Sequence, residues 1–143
     1  LRIRSEQPVA AVVRVSESKD DYAYVGSVHR LDGPALVPVD LGGGTSRPRL
    51  TLTAPMRTAT VAVKGYDARM KQLVAERHEL PGGTTSTVAL TGLTDSDRLA
   101  YVVVEPRGNV VGSVTFHKDD GIASMPLEAA PVRVLGPDVR LVG

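Results

Sequence analysis

Apolar and polar residues alternate along much of this chain with a period of two, the pattern of β-strands that bury one face. The clearest example is the region from 88 to 103, where a polar stretch interrupts the alternation and then lets it resume. The alternating apolar residues there are Val88, Leu90, Leu99, Tyr101 and Val103. We therefore predict two strands joined by a polar corner.

Further segments with the same period extend the prediction of strands to other parts of the chain. They cover residues 49–54, 58–64, 84–90, 99–105 and 110–118. Residues 68–79 are ambiguous, because Met70, Leu73, Val74 and Arg77 also have helical spacing. We favour a strand there, since 65–67 and 81–83 have the composition of hairpin turns and bracket the segment. The predicted fold class is all-β.

The corner at Asp97 resembles that of the immunoglobulin-type β-sandwich. This chain has Asp97-x-Leu99-x-Tyr101-x-Val103 where that fold has Asp-x-Ala/Gly-x-Tyr-x-Cys. The resemblance implies an antiparallel sandwich in which a buried Tyr101 hydrogen-bonds to backbone a few residues upstream and closes one end. Val103 stands where the family carries a disulfide cysteine.

A run of three glycines followed by Thr45 and Ser46 is the most flexible composition in the chain and suggests a linker or a long loop. We expect residues 47–143 to form the immunoglobulin-like sandwich. Residues 1–41 are either the tail of a preceding repeat or strands added to that sandwich. Because the chain starts inside an apparent strand at Leu1, we expect it to be a processed or trimmed piece of a longer protein.

Composition narrows the chemistry further. The chain has no cysteine, which removes disulfides, thiol nucleophiles and cysteine metal sites but leaves the compartment open. Its formal net charge is +1, with 17 basic and 16 acidic residues interspersed, so we expect no nucleic-acid partner. No run of about 18 apolar residues occurs, so we predict no membrane span in this chain.

Two groups of residues could hold a metal. Asp95, Asp97, Asp119 and Asp120 could supply oxygen ligands to Ca²⁺, although no Asp-x-Asp-x-Asp-Gly loop is present. The simpler interpretation is that Asp97 serves the corner and the others cap turns. The histidines, which are His29, His78 and His117, have no metal-binding spacing, and we expect three unrelated surface residues. We predict no cofactor.

Catalytic and phosphate-binding motifs are also missing from the sequence. The chain lacks the Gly-x-Ser-x-Gly elbow of serine hydrolases, and its glycine run lacks the Lys-Ser/Thr of a phosphate loop. We therefore predict that the protein is not an enzyme.

Tyr22 and Tyr24 could form a small platform for a sugar ring, because residues two apart on a strand share one face. The alternative is that both lie in the interior. We favour the interior, since a chain with four tyrosines, one phenylalanine and no tryptophan needs large side chains to fill its core.

Strand texture, turn positions and a valine- and arginine-rich composition over most of the chain resemble a family of actinobacterial envelope proteins built from tandem immunoglobulin-like units. The resemblance implies an extracytoplasmic location, secreted or anchored to the membrane outside this fragment, and supplies no catalytic residue. We expect a non-catalytic structural or protein-interaction module with a protein partner in the envelope. The alternative is a polysaccharide-binding accessory domain that could act with an envelope glycosyltransferase.

Overall fold

The computed structural model describes residues 6–7, 12–16, 22–25, 28–39, 47–90, 93, 98–118 and 121–130. Within these ranges the chain forms ten strands and no helix, and nothing in them is helical, long and apolar enough to cross a bilayer. The strands are β1 Val13–Ser16, β2 Tyr22–Val25, β3 Ala35–Pro38, β4 Arg47–Ala54, β5 Ala59–Asp67, β6 Gln72–Leu80, β7 Thr84–Ala89, β8 Leu99–Arg107, β9 Val111–Lys118 and β10 Gly121–Pro126.

Eight of these strands form two four-stranded antiparallel sheets. Sheet 1 has the order β10-β9-β4-β7, and sheet 2 has the order β3-β8-β5-β6. The remaining strands, β1 and β2, pair as a separate antiparallel hairpin, and β2 lies against β10. The all-β class and the sandwich-like arrangement of antiparallel sheets are confirmed.

One hydrophobic core joins the two sheets. Each central strand contributes alternate residues to it, and nearly all are fully buried aliphatic side chains. Sheet 1 supplies Leu50, Leu52, Val88, Val114 and Phe116, and sheet 2 supplies Ala35, Val37, Val61, Val63, Val102 and Val104. Burying each Val, Leu or Phe side chain contributes about 1.5–3 kcal/mol to stability. Aliphatic side chains can therefore stabilise this core although it contains a single phenylalanine.

The edge of sheet 2 comes from the N-terminal part of the chain. β3 pairs with β8 through Leu36 opposite Val103 and Val37 opposite Val102. The backbone N–H of Leu31 donates to the Val110 carbonyl oxygen at 2.8 Å, which ties the segment before β3 to the turn that precedes β9. Residues 31–38 therefore belong to the same sandwich as the strands that follow the glycine run.

The ambiguous segment 68–79 forms a strand rather than a helix over most of its length, since β6 covers Gln72–Leu80. The preceding turn, however, is not at 65–67, because β5 continues to Asp67 and the chain reverses between Asp67 and Lys71. Met70 has a φ of 63°, the left-handed conformation that this tight reversal requires.

The strand order also differs from that of the immunoglobulin fold. There the strand that begins with the corner tyrosine and the strand after it are neighbours in one sheet. Here β8 belongs to sheet 2, and β9 pairs with β4 and β10 in sheet 1. The chain passes from one sheet to the other at the turn after Arg107, where Gly108 has a φ of 111°, a conformation that glycine adopts readily.

Candidate functional site

Tyr101 lies on the outer face of sheet 2, away from the core. The register between β5 and β8 shifts by one residue between Tyr66 and Asp67. Tyr66 pairs with Tyr101, but Asp67 pairs with Leu99, so Ala100 is the extra residue of a β-bulge. The bulge puts the side chains of Leu99 and Tyr101 on opposite faces. Leu99 packs against the core, whereas Tyr101 is only half-buried. The prediction of a tyrosine buried between the sheets is therefore wrong.

Of the other residues of the predicted corner, the structure describes Leu99 and Val103 but not Asp97. Asp97 lies outside the described residues, as do most of the upstream residues that the Tyr101 hydroxyl would bond. Val103 is half-buried on the outer face, because its neighbours Val102 and Val104 point into the core.

A row of four side chains crosses the outer face of sheet 2, one from each strand. In order they are Pro38, Tyr101, Tyr66 and Gln72. The two tyrosine rings are stacked, with centroids 5.3 Å apart and an interplanar angle of 9°. The Tyr66 hydroxyl donates a hydrogen bond to Oε1 of Gln72 at 3.3 Å. Stacked aromatic pairs add about 0.5–1.5 kcal/mol beyond the area they bury, so this row is held in place.

The adjacent row carries apolar side chains on one side and charges on the other. Leu36 pairs with Val103, and Val103 pairs with Lys64. Leu36 is 57% exposed. Lys64 Nζ lies 2.7 Å from Oε1 of Glu105, a partly exposed ion pair worth about 1 kcal/mol or less. We call these two rows, together with Glu105, the tyrosine face.

The outer face of sheet 1 has a different chemistry and is called here the hydroxyl face. We define it by its hydroxyl side chains, which are Thr51, Thr53, Thr85, Thr87, Ser113, Thr115 and Ser124, and the same outer rows also carry Arg49, Ala89, Val111, His117, Ile122 and Pro126. Two cross-strand pairs of hydroxyls are hydrogen-bonded, Thr53 with Thr85 at 2.8 Å and Thr115 with Ser124 at 3.2 Å. These side chains are small and polar, and water solvates them readily.

Tyr22 and Tyr24 lie on the solvent side of the β1–β2 hairpin. Their side chains are 46% and 58% exposed, and their ring centroids are 5.5 Å apart at an interplanar angle of 75°. Cζ of Arg14 lies 4.3 Å from the centroid of the Tyr22 ring. The expectation that these tyrosines fill the interior is wrong, because aliphatic side chains and Phe116 fill it.

Asp67 holds the reversal between β5 and β6. Its Oδ1 accepts backbone hydrogen bonds from Arg69 and Lys71, both at 2.9 Å. The Lys71 hydrogen bond chiefly lowers the pKa of Asp67 below its usual value, helped by the Arg69 hydrogen bond and the charges of Arg98 and Lys71, while burial acts in the opposite direction. The carboxylate is thus committed to the turn.

An open cleft of about 330 Å³ lies beside this turn, lined by Asp67, Ala68, Arg69 and Arg98. Its carboxylate already serves backbone donors, and its two arginines lie on the exposed surface. We interpret the cleft as a consequence of the turn rather than as a catalytic site.

Polar side chains also point toward the core at the edge strand β6. Glu76 and His78 pair with Val63 and Val61, whose side chains are in the core. The buried Nε2 of His78 lies 3.3 Å from Oε2 of Glu76, within ion-pair distance but without the alignment of a hydrogen bond. Inward-pointing charged residues are a common protection of an edge strand against pairing with another chain.

The aspartates proposed for Ca²⁺, which are Asp95, Asp97, Asp119 and Asp120, all lie outside the described residues. Among the residues that the structure does describe, no group of three or more His, Cys, Asp or Glu side chains could hold a metal ion. His29 precedes β3, His78 lies on β6 and His117 on β9, so each belongs to a different element.

Comparison with known proteins places the chain in a family. A family model matches residues 1–91, more than half of the chain. The chain belongs to DUF5719, a family of unknown function. The match ends just after β7, so Tyr22, Tyr24 and Tyr66 lie within the matched region and Tyr101 lies beyond it.

Structural similarity adds information on the fold of this DUF5719 member. The crystal structure of Thermotoga maritima 1070 superposes with a TM-score of 0.55 at 12% identity, over 70% of this chain and 96% of that one. At this identity the similarity shows the fold alone. No curated protein matches the chain.

Proposed function

We propose that this DUF5719 chain is a non-catalytic structural or protein-interaction module of the cell envelope and that the tyrosine face is its contact surface. The observation that carries the proposal is the stack of Tyr66 and Tyr101 beside the exposed Leu36 on an outer sheet face. Four of the five aromatic residues in the chain lie outside the core, and two of them form this stack.

The composition of the tyrosine face supports a protein partner. Contact surfaces are enriched in aromatic residues at their centre and carry charged and polar residues at the rim. Here Tyr66, Tyr101 and Val103 form the centre, while Lys64 and Glu105 lie beside them. Rigid, stacked rings lose little conformational freedom on binding, which favours affinity.

The hydroxyl face does not have these properties. Its side chains are threonines and serines that hydrogen-bond across strands, with no aromatic ring among its defining residues. A partner that buries apolar surface therefore gains more on sheet 2 than on sheet 1. This asymmetry supports one face as the contact surface.

The non-catalytic part of the proposal is supported by the missing catalytic motifs. The extracytoplasmic part is supported by the resemblance to actinobacterial envelope proteins with tandem immunoglobulin-like units. Fractionation of cells that carry the full-length protein tests the location, and recovery of the protein in the cytosol alone would contradict it.

The contact surface is tested by photo-crosslinking in intact cells. A photoreactive amino acid replaces Leu36 on the tyrosine face or, as matched control, Thr87 on the hydroxyl face. Both side chains are exposed on outer faces, so neither replacement disturbs the core. We expect a discrete protein adduct from position 36 and none from position 87.

Two variants that introduce arginine, one on each face, make this test specific. Glu105→Arg reverses a charge on the tyrosine face and should reduce the position-36 adduct severalfold. Thr85→Arg, on the hydroxyl face, should leave the adduct unchanged. Equal adducts from both faces, or none from position 36, would contradict the proposal.

A further inference from the structure

We infer that the β1–β2 hairpin carries a separate binding site for an acidic polysaccharide, formed by Tyr22, Tyr24 and Arg14. The site shares no residue with the tyrosine face and does not depend on the function proposed for it. Its evidence is the geometry of the hairpin itself.

The hairpin has two unlike faces. Arg14 pairs with Tyr24 and Ser16 with Tyr22, and residues opposite each other in an antiparallel pair share one face. All four of these residues are exposed. Ala23, on the other face, is buried. The hairpin therefore packs through Ala23, although Val13 on the same face is 47% exposed, and it directs its two large aromatic side chains into solvent.

The hydrophobic effect alone would favour burying the two tyrosine rings and leaving the alanine between them exposed, which is the reverse of the observed placement. Tyrosine rings bury large apolar areas when a core needs volume, yet Tyr22 and Tyr24 leave about half of their surface open. The position between them holds alanine. A chain with few aromatics thus gathers two on one exposed strand, about 7 Å apart along it.

The three side chains offer what recognition of a sugar chain requires. The π-face of a tyrosine ring is negative, and it attracts the weakly positive C–H groups on the face of a pyranose ring. The phenol and guanidinium groups supply hydrogen bonds for sugar hydroxyls. Tyr24 has the more exposed ring and is the better stacking surface.

Arg14 determines the charge preference. Its guanidinium lies over the Tyr22 ring, where the cation–π attraction orients it while leaving N–H donors in its plane available. A planar guanidinium binds a carboxylate through two parallel hydrogen bonds. The ligand class that fits one arginine beside two tyrosines is a polysaccharide that contains uronic acids.

Single-stranded nucleic acid is the other polymer that stacks on tyrosine, and the charges disfavour it. Nucleic-acid affinity grows with the number of phosphates that lysines and arginines neutralise. The four exposed residues of this hairpin face contain one arginine and no lysine, and the whole chain has a net charge of +1.

Titration calorimetry of the full chain with polygalacturonate tests the inference. Dextran serves as the neutral polysaccharide, and single-stranded DNA as the competing polymer. We expect polygalacturonate to bind and Tyr24→Ala to weaken that binding at least tenfold. Arg14→Gln should reduce the preference for polygalacturonate over dextran. The control Met56→Ala, which also removes an exposed large side chain but lies outside both proposed surfaces, should leave both affinities unchanged.

A thermal melt of each variant separates binding from folding. Tyr24→Ala should melt within about 2 °C of the parent, since replacing an exposed side chain changes stability by about 0.5 kcal/mol or less. Tyr24→Phe, which keeps the ring, should retain most of the affinity. No binding to polygalacturonate, equal loss with Met56→Ala, or tighter binding to DNA would overturn the inference.

Discussion

The two outer faces of this sandwich share one core but differ in chemistry. Sheet 1 presents paired threonines and serines, whereas sheet 2 presents two stacked tyrosines with Leu36 and Val103 beside them. Stability of the core does not require this difference, because outward positions contribute little to it. The contact surface proposed above therefore rests on the residues of the outer faces and not on the fold.

A local irregularity adds one residue to the core behind the tyrosine face. Val102 and Val104 point inward, so alternation along β8 already places Tyr101 outward. Without the bulge at Ala100, Leu99 would share the outer face with Tyr101. Gly65 accommodates the inward Leu99, since a Cβ there would lie 2.6 Å from Cδ1 of Leu99. The bulge therefore directs Leu99 inward.

The largest expected effect on stability comes from comparing an alanine substitution at an inward-facing position of β4 with one at an outward-facing position. Leu52→Ala should lower the free energy of unfolding by about 2–5 kcal/mol, because Leu52 is fully buried and leaves a cavity. Thr53→Ala, its neighbour on the hydroxyl face, should cost about 1 kcal/mol or less. Urea denaturation measures both. Similar losses at the two positions would contradict the assignment of faces.

The next effect tests the bulge. Gly65→Ala should cost about 1–3 kcal/mol, since the new methyl group would collide with Leu99 and Val74, which lies 2.8 Å away. Gly33→Ala is the matched control, because the nearest atom, Cβ of Ala129, lies at 3.8 Å. We expect the control to change stability by less than about 1 kcal/mol. A Gly65→Ala variant as stable as the control would refute the crowding.

A smaller effect compares the pairs that define the two faces. A double-mutant cycle on Tyr66 and Tyr101 should give a coupling of about 0.5–1.5 kcal/mol. The same cycle on Thr53 and Thr85 should give about 0.2–1 kcal/mol, as is usual for cross-strand pairs. Denaturant midpoints of the single and double alanine variants provide both values. A tyrosine coupling of zero would show that the rings are not stacked in solution.

The smallest effect concerns the turn that follows Tyr66. Because the folded-state pKa of Asp67 is lowered, its carboxylate stabilises the fold above the unfolded pKa of about 3.9, and this stabilisation is lost as pH falls through the folded value. Asp67→Asn should therefore melt at a lower temperature than the parent at pH 7. The gap should close in acid. A gap that persists unchanged at the lowest pH where both variants fold would contradict the pKa direction.

Strand periodicity predicted much of the fold. The inward residues of β4, β5 and β9 alternate without interruption, and the turns that bracket β6 favoured a strand over a helix there. The resemblance to the immunoglobulin corner failed at Tyr101, because residues 99–104 are all apolar and two phases of alternation fit them. Val102 and Val104, rather than Tyr101 and Val103, face the core, and a bulge turns Leu99 inward. Gly65, inside a strand rather than in a turn, was the one local signal of the bulge.

The candidate surfaces were harder to predict. Tyr22 and Tyr24 were expected inside because the chain lacks large aromatics, yet Leu, Val and one Phe fill the volume between the sheets. Tyr66 and Tyr101 are 35 residues apart, and only the pairing of β5 with β8 brings them together. Such long-range pairing cannot be derived from periodicity alone.

Hydroxyl-radical footprinting of the protein in its native cells and after purification tests the central claim, that the tyrosine face is the contact surface. Met56 and Met70, which are 68% and 76% exposed, serve as internal references for radical dose. We expect the oxidation of Leu36, Tyr66 and Tyr101 to fall severalfold in cells relative to the purified protein, while the oxidation of the two methionines does not change. Equal oxidation of Leu36 and both tyrosines in the two states would contradict the claim.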